Sequence, residues 1–144
     1  MKVTVSMITL NEERAVAKVV EDIRRVVPGA EIFLVDSSSD RTAQIAQQLG
    51  CRVFKQFPPK GYGPAMDRAV RDARGDVVVT LDCDDTYPVE EIPRLVSMIE
   101  DGWDLDWSEP GVIAHYCTRG REVTVGAGPA HSMRLADDIE VQPR

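Results

Sequence analysis

Nowhere does the 144-residue chain hold about 18 consecutive apolar residues, so no segment reads as a membrane-spanning helix. The N-terminal run Val3–Ile8 is too short for the core of a secretory leader and has no small-residue cleavage site after it. Cysteine is scarce. Cys51, Cys83 and Cys117 are odd in number, far apart and without CxxC spacing, which excludes a disulfide frame or a zinc site. Reduced thiols fit a cytoplasmic location. Positive charge is in deficit: 17 Lys+Arg stand against 24 Asp+Glu, a net charge of -7. That balance excludes a basic nucleic-acid-binding domain, so no nucleic acid is expected as partner. Phosphate recognition would then need a local site built from backbone N–H groups, a few cations or a metal. The two histidines, His115 and His131, lack metal-ligand spacing. Three glycine signatures are also missing. Without GxGxxG after the first apolar run there is no dinucleotide fingerprint, without GxxxxGK[ST] no P-loop, and without GxSxG no nucleophile elbow.

What remains is an ordinary globular composition, 43% hydrophobic and 28% charged, of a size for one domain. Over the first hundred residues β-rich runs at Val3–Thr9, Glu31–Val35, Cys51–Phe54 and Asp76–Leu81 alternate with helical patterns. Val16, Val19, Val20, Ile23 and Val27 keep one helix face; Thr42, Ile45, Ala46 and Leu49 keep a second. Met66, Ala69, Val70 and Ala73 keep a third, and Ile92, Leu95, Val96 and Ile99 a fourth. Asn11 and Asp40 are placed to cap the first two helices, while Pro28-Gly29 and Gly50 close them. Apolar strands alternating with helices imply βαβ units: an α/β fold, a Rossmann-like open, mostly parallel sheet flanked by helices. Beyond Trp103 the periodicity lapses. Val112-Ile113-Ala114 and Val123-Thr124-Val125 are candidate short strands, and Ala136–Arg144 reads as a frayed end.

Ligands of open α/β sheets bind beyond the carboxyl ends of the strands, which directs attention to the polar residues there. Asp82-Cys83-Asp84-Asp85-Thr86 follows a continuous apolar strand, and alternate residues project to one side, so Asp82 and Asp84 can converge. Two close carboxylates stay ionised cheaply only around a cation, and Mg²⁺ or Mn²⁺ suits oxygen donors while leaving positions for phosphates. The alternative is an Asp-rich turn that caps the next helix. Asp36 could accept from a ribose hydroxyl or a base N–H, or else form an Asx-turn with Ser38. Lys60-Gly61-Tyr62-Gly63 reads as a cationic loop whose backbone can approach a ligand.

In order and spacing, four segments resemble the family 2 glycosyltransferases of the GT-A fold, in the dolichyl-phosphate mannose or glucose synthase-like branch. They are Thr9–Glu13, Val35–Thr42, Lys60–Ala65 and Ala73–Pro88, with Glu90–Leu95 following. The resemblance covers residues 3–105 and implies a nucleotide-sugar-binding half at 1–105, with a divergent tail at 106–144. It implies a UDP- or GDP-sugar donor, a divalent metal, Mg²⁺ or Mn²⁺, and a polyprenyl phosphate as acceptor at the cytosolic membrane face. Thr9, Asn11, Glu12, Asp36 and Ser38 would hold base and ribose. Lys60, Gly61 and Tyr62 would line the nucleotide pocket. Asp82 would serve the donor and, with Asp84, the metal. No catalytic base is implied by any residue of the tail.

The departures are specific. Ile8 replaces a usual proline, Leu10 a frequent tyrosine, and Thr86 a frequent glutamine. The Asp36–Thr42 loop is one residue shorter than the common form, which leaves open whether Asp36 or Asp40 meets the nucleotide. Because the tail matches nothing, one expectation is a truncated or frameshifted, non-catalytic product with an open, association-prone sheet edge. A further alternative is a haloacid dehalogenase-type phosphotransferase, whose DxDxT motif Asp82–Thr86 also fits.

Overall fold

The computed structural model describes residues 2–100 and 113–116. Strands β1 (Val3–Thr9), β2 (Glu31–Asp36), β3 (Arg52–Lys55) and β4 (Val77–Asp82) are mutually parallel. Between them run helices α1 (Val16–Val26), α2 (Thr42–Gln48) and α3 (Tyr62–Arg71). A 3₁₀ turn at Val89–Glu91 leads into α4 (Ile92–Glu100). The sheet order is β3-β2-β1-β4-β5, with β5 (Ile113–Tyr116) antiparallel to β4. This is the open, mostly parallel sheet that the alternating pattern predicts. Strand β5 lies in the segment expected to diverge, and it covers β4 from Val77 to Thr80, so β4 is no open edge. The expected strand at Val123–Val125 and the frayed end at Ala136–Arg144 lie outside the described residues.

Strand alternation sorts the sheet into two faces. Val5 and Met7 of β1, Ile32 and Leu34 of β2, and Val77, Val79 and Leu81 of β4 point to one side. There they meet Val16, Val19, Val20 and Ile23 of α1, Ala46 of α2 and Ile92 of α4. Each fully buried Val or Ile of this cluster contributes about 1.5–3 kcal/mol. The opposite face carries α3 across β1 and β2, and it is more polar. Ser6 there donates its hydroxyl to the Ala69 carbonyl of α3 at 2.8 Å.

Local chemistry explains where the elements begin and end. Helix α2 closes on Gly50 at φ 76°, with Cys51 N–H donating to the Ala46 carbonyl and Gly50 N–H to that of Gln47. That pair of bonds is a Schellman closure, and Gly50 is the left-handed residue it needs. Asn11 does not cap α1 as its position predicts. It sits at φ 57°, and α1 begins five residues later, at Val16, behind Ala15, which makes no side-chain cap. The N-cap of α2 is Arg41 rather than Asp40, but Asp40, one residue before it, accepts from the Thr42 N–H at 2.9 Å and its hydroxyl at 2.5 Å. Tyr62 and Gly63, expected in a loop, form the first turn of α3 behind Gly61 at φ 99°.

Candidate functional site

The carboxyl ends of β1, β2 and β4 and the start of α3 enclose a cavity of about 340 Å³. Of the residues singled out from sequence, Thr9, Glu12, Gly61, Tyr62, Asp82 and Asp84 line it. Asn11, Asp36, Ser38 and Lys60 do not. Strand ends supply three sides because parallel strands deliver their last residues to one edge.

Asp36 lies beneath this cavity rather than in its wall. It has no exposed surface. Its Oδ1 accepts from the hydroxyls of Thr9 and Ser38, both at 2.6 Å. Its Oδ2 accepts from Ser38 N–H at 3.2 Å and pairs with Lys55 Nζ at 2.5 Å. The Asx-turn expected as the structural alternative is therefore present, and it is one part of a fuller network. A buried carboxylate with four donors is satisfied by the protein itself. Asn11 belongs to the same scaffold. Its N–H donates to Ser38 Oγ at 2.7 Å, and its Oδ1 accepts from the N–H groups of Ser39 and Asp40. With Glu12 N–H donating to Thr42 Oγ1 at 2.8 Å, these bonds stitch the β1–α1 loop to the β2–α2 loop.

The acidic side is electrostatically loaded. Burial first, then the charge of Asp84, pushes the Asp82 carboxyl above its ordinary value; a Tyr87 hydroxyl bond opposes them. Glu12 is also raised, by burial first and then by Asp84, Asp40 and Asp82. Asp84 is exposed and accepts from Thr86 N–H at 3.1 Å and its hydroxyl at 2.5 Å. Asp85 turns away at φ 63° and pairs with Lys18 of α1 at 2.8 Å. Cys83, between the two carboxylates, is buried and its thiol is pushed up to about 12, chiefly by desolvation. It is no nucleophile at neutral pH.

Among the described residues no group of three or more His, Cys, Asp and Glu side chains is arranged to hold a metal alone. The fit is instead to a half-made site. Asp82 and Asp84 face one cavity, the charge of Asp84 raises the cost of ionising Asp82, and a divalent cation would relieve it. Mg²⁺ and Mn²⁺ commonly take one or two carboxylates and complete their shell with water and substrate phosphate.

Sequence reading missed Ser37, Leu10 and Pro59, which also line the cavity. Parity in the strand was the available signal for Ser37. Its N–H extends the ladder to the Thr9 carbonyl at 2.9 Å, so Ser37 and Asp36 must point to opposite sides. Lys60, between Pro59 and Gly61 in sequence, lines a separate cavity of about 240 Å³.

Comparison with known proteins places these features together in one group. The profile described as Glycosyl transferase family 2 matches residues 4–113. A dolichyl-phosphate hexose transferase of Haloferax volcanii is 49% identical over 102 residues, covering 70% of this chain and 44% of the relative. A dolichol-phosphate mannosyltransferase of Pyrococcus furiosus is 36% identical over 112 residues, covering 73% and 32%. Among solved structures, glucosyl-3-phosphoglycerate synthase of Mycobacterium tuberculosis with Mn²⁺, UDP and glucosyl-3-phosphoglycerate has TM-score 0.58 and 30% identity, covering 68% of this chain and 39% of the other. The mannosyltransferase PcManGT of Pyrobaculum calidifontis, with GDP-Man and Mn²⁺, shares the fold at TM-score 0.59 and 24% identity, covering 73% and 32%. The chain thus spans less than half the length of each of these relatives. With its sheet, its acidic strand end and most of its described length inside the matched profile, the chain belongs to glycosyl transferase family 2.

Proposed function

We propose that this chain carries the donor-binding half of a metal-dependent glycosyltransferase that uses a UDP- or GDP-sugar. The observation that carries the reading is the 340 Å³ cavity at the strand ends, with Asp82 and Asp84 on one side and Thr9 and Ser37 beside them. Asp82 and Asp84 would hold Mg²⁺ or Mn²⁺ together with the donor diphosphate. When bound, the cation offsets the negative charge that develops on the leaving nucleoside diphosphate.

The protein's own groups bind and orient. Thr9, Ser37 and Glu12 face the nucleoside end, and the buried Asp36 network, with Asn11 and Ser38, fixes their positions. Ser37, which lines the cavity where Asp36 does not, would take the contact first expected of Asp36. Gly61, at φ 99°, turns the chain so that α3 can start with Tyr62 against the donor. The acceptor we propose is a polyprenyl phosphate at the cytosolic membrane face, since the Haloferax and Pyrococcus relatives are named for transfer involving dolichyl phosphate. Among the described residues no helix is long and apolar enough to cross a membrane. A cytoplasmic or peripheral protein is part of the proposal. The family match takes in the Asp82–Thr86 string, which leaves the phosphotransferase reading without separate support.

Thermal denaturation tests the reading. A UDP- or GDP-sugar added with Mn²⁺ should raise the melting temperature more than the sum of the two added singly. No response to common nucleotide sugars at saturating Mn²⁺ would remove the donor site.

A further inference from the structure

The second cavity, about 240 Å³, lies across the Pro59–Pro64 segment from the donor cavity. The segment divides its residues between the two: Pro59, Gly61 and Tyr62 line the donor side, and Lys60 and Pro64 line the other. Lys60, Arg68 and Arg71 supply three cations to its wall, against Asp67 and Asp72. Arg68 pairs with Asp72 at 2.8 Å and Arg71 with Asp67 at 2.6 Å, so those two carboxylates are already matched. Lys60 forms no ion pair among the described residues. The lining therefore keeps one unmatched positive charge in a chain whose net charge is -7.

Gln56 supplies the independent sign of a ligand. It follows β3, its N–H donates to the Asp36 carbonyl at 2.7 Å, and it is 6% exposed. It lines this cavity, and among the described residues its Nε2 has no hydrogen-bond partner. An unmet buried amide donor costs about 1–3 kcal/mol, so a polar residue here calls for an acceptor. A group with several acceptor oxygens and negative charge meets both the amide and Lys60.

We propose that this cavity binds a phosphate monoester group, separate from the donor site. The Pro59–Pro64 segment forms a wall of both cavities, so occupation of one bears on the shape of the other. The group could be carried by a soluble phosphate compound or by a lipid headgroup, and the recognition chemistry is the same.

The test is titration of the full chain with inorganic phosphate, without metal or nucleotide, in chloride at matched ionic strength, followed by amide NMR. We expect saturable shifts of the Gln56 side-chain amide and of Lys60, larger than any at Thr9 or Ser37. Gln56→Glu keeps the size but adds a charge, and should weaken binding about tenfold or more. Lys60→Gln, at an exposed position, should weaken it too and keeps the test open if Gln56→Glu fails to fold. Vesicles of phosphatidic acid in phosphatidylcholine distinguish the sources. Cosedimentation that needs phosphatidic acid and is lost in Lys60→Gln assigns a lipid headgroup; phosphate binding without cosedimentation assigns a soluble one. Absence of saturable shifts at Gln56, or shifts unchanged by both substitutions, overturns the proposal. Either result leaves the donor reading untouched, because shifts at Thr9 and Ser37 report that cavity separately.

Discussion

Lys55 Nζ lies 2.5 Å from Oδ2 of Asp36, and the two partners are unequally buried: the lysine side chain is 44% exposed, the aspartate side chain not at all. The asymmetry makes a prediction. Lys55→Met strands a carboxylate in the interior and should cost about 3 kcal/mol, whereas Asp36→Asn releases the lysine to water and should cost about 1–2 kcal/mol. Urea denaturation of both variants checks the order. Equal costs would mean that the pair is solvated and that Asp36 does not organise the two loops.

At the opposite end of the strands, Glu31 has the reverse dependence on pH from the acidic cavity. Burial pushes its carboxyl up, but bonds from Arg52, Thr4 and the Arg74 N–H outweigh that and hold it below its ordinary 4.5. Its stabilising contribution is thus present above that ordinary value and is lost as pH falls through the lowered one. Glu31→Gln should therefore be less stable than the parent at neutral pH, with the gap closing in acid. A gap independent of pH would assign the effect to packing.

Asp82 and Glu12 should behave in the opposite sense. Both are raised, so their ionised forms cost stability that returns as pH falls through the raised values toward the ordinary 3.8 and 4.5. Without ligands, Asp82→Asn and Glu12→Gln should each melt higher than the parent at neutral pH, and this advantage should shrink in acid. Asp82→Asn should also lose Mn²⁺-linked donor binding. A variant that melts lower at neutral pH would mark the carboxylate as structural.

Gly75 marks a close approach of chains. A Cβ there would sit 2.6 Å from Thr4 N, 2.8 Å from Thr4 Oγ1 and 2.9 Å from the Lys2 carbonyl. Two of these atoms are backbone, so Gly75→Ala must push β1 from the entry to β4 and should cost about 2–3 kcal/mol. A calorimetric scan showing a neutral effect would contradict that packing.

How much of this was legible follows the strength of each local signal. Strand β1 matches its predicted limits, Val3–Thr9, because a buried parallel strand is written as a continuous apolar run. Met66, Ala69 and Val70 were recognisable as a helix face, but the helix starts at Tyr62, where glycines and a proline imitate a loop. Gly61 alone makes the turn, and Pro64 falls in the first turn of α3, where a missing N–H is harmless. Which of Asp36 and Ser37 reaches the cavity depends on where β2 ends. A single residue of register reverses the answer, and composition does not record it. Strand β5 overlaps the short strand expected at Val112–Ala114, but its antiparallel pairing with β4 spans a long separation in sequence that no local pattern records.

In the proposed site a divalent cation is held jointly by Asp82, Asp84 and a nucleoside diphosphate. Titration of Mn²⁺ by electron paramagnetic resonance, with and without UDP or GDP, tests it most directly. Weak Mn²⁺ binding to the protein alone is expected, with much tighter binding when one of the nucleotides is present and about 10–100-fold loss in Asp84→Asn without loss of fold. Mn²⁺ affinity that neither nucleotide changes, or that Asp84→Asn leaves intact, would contradict it.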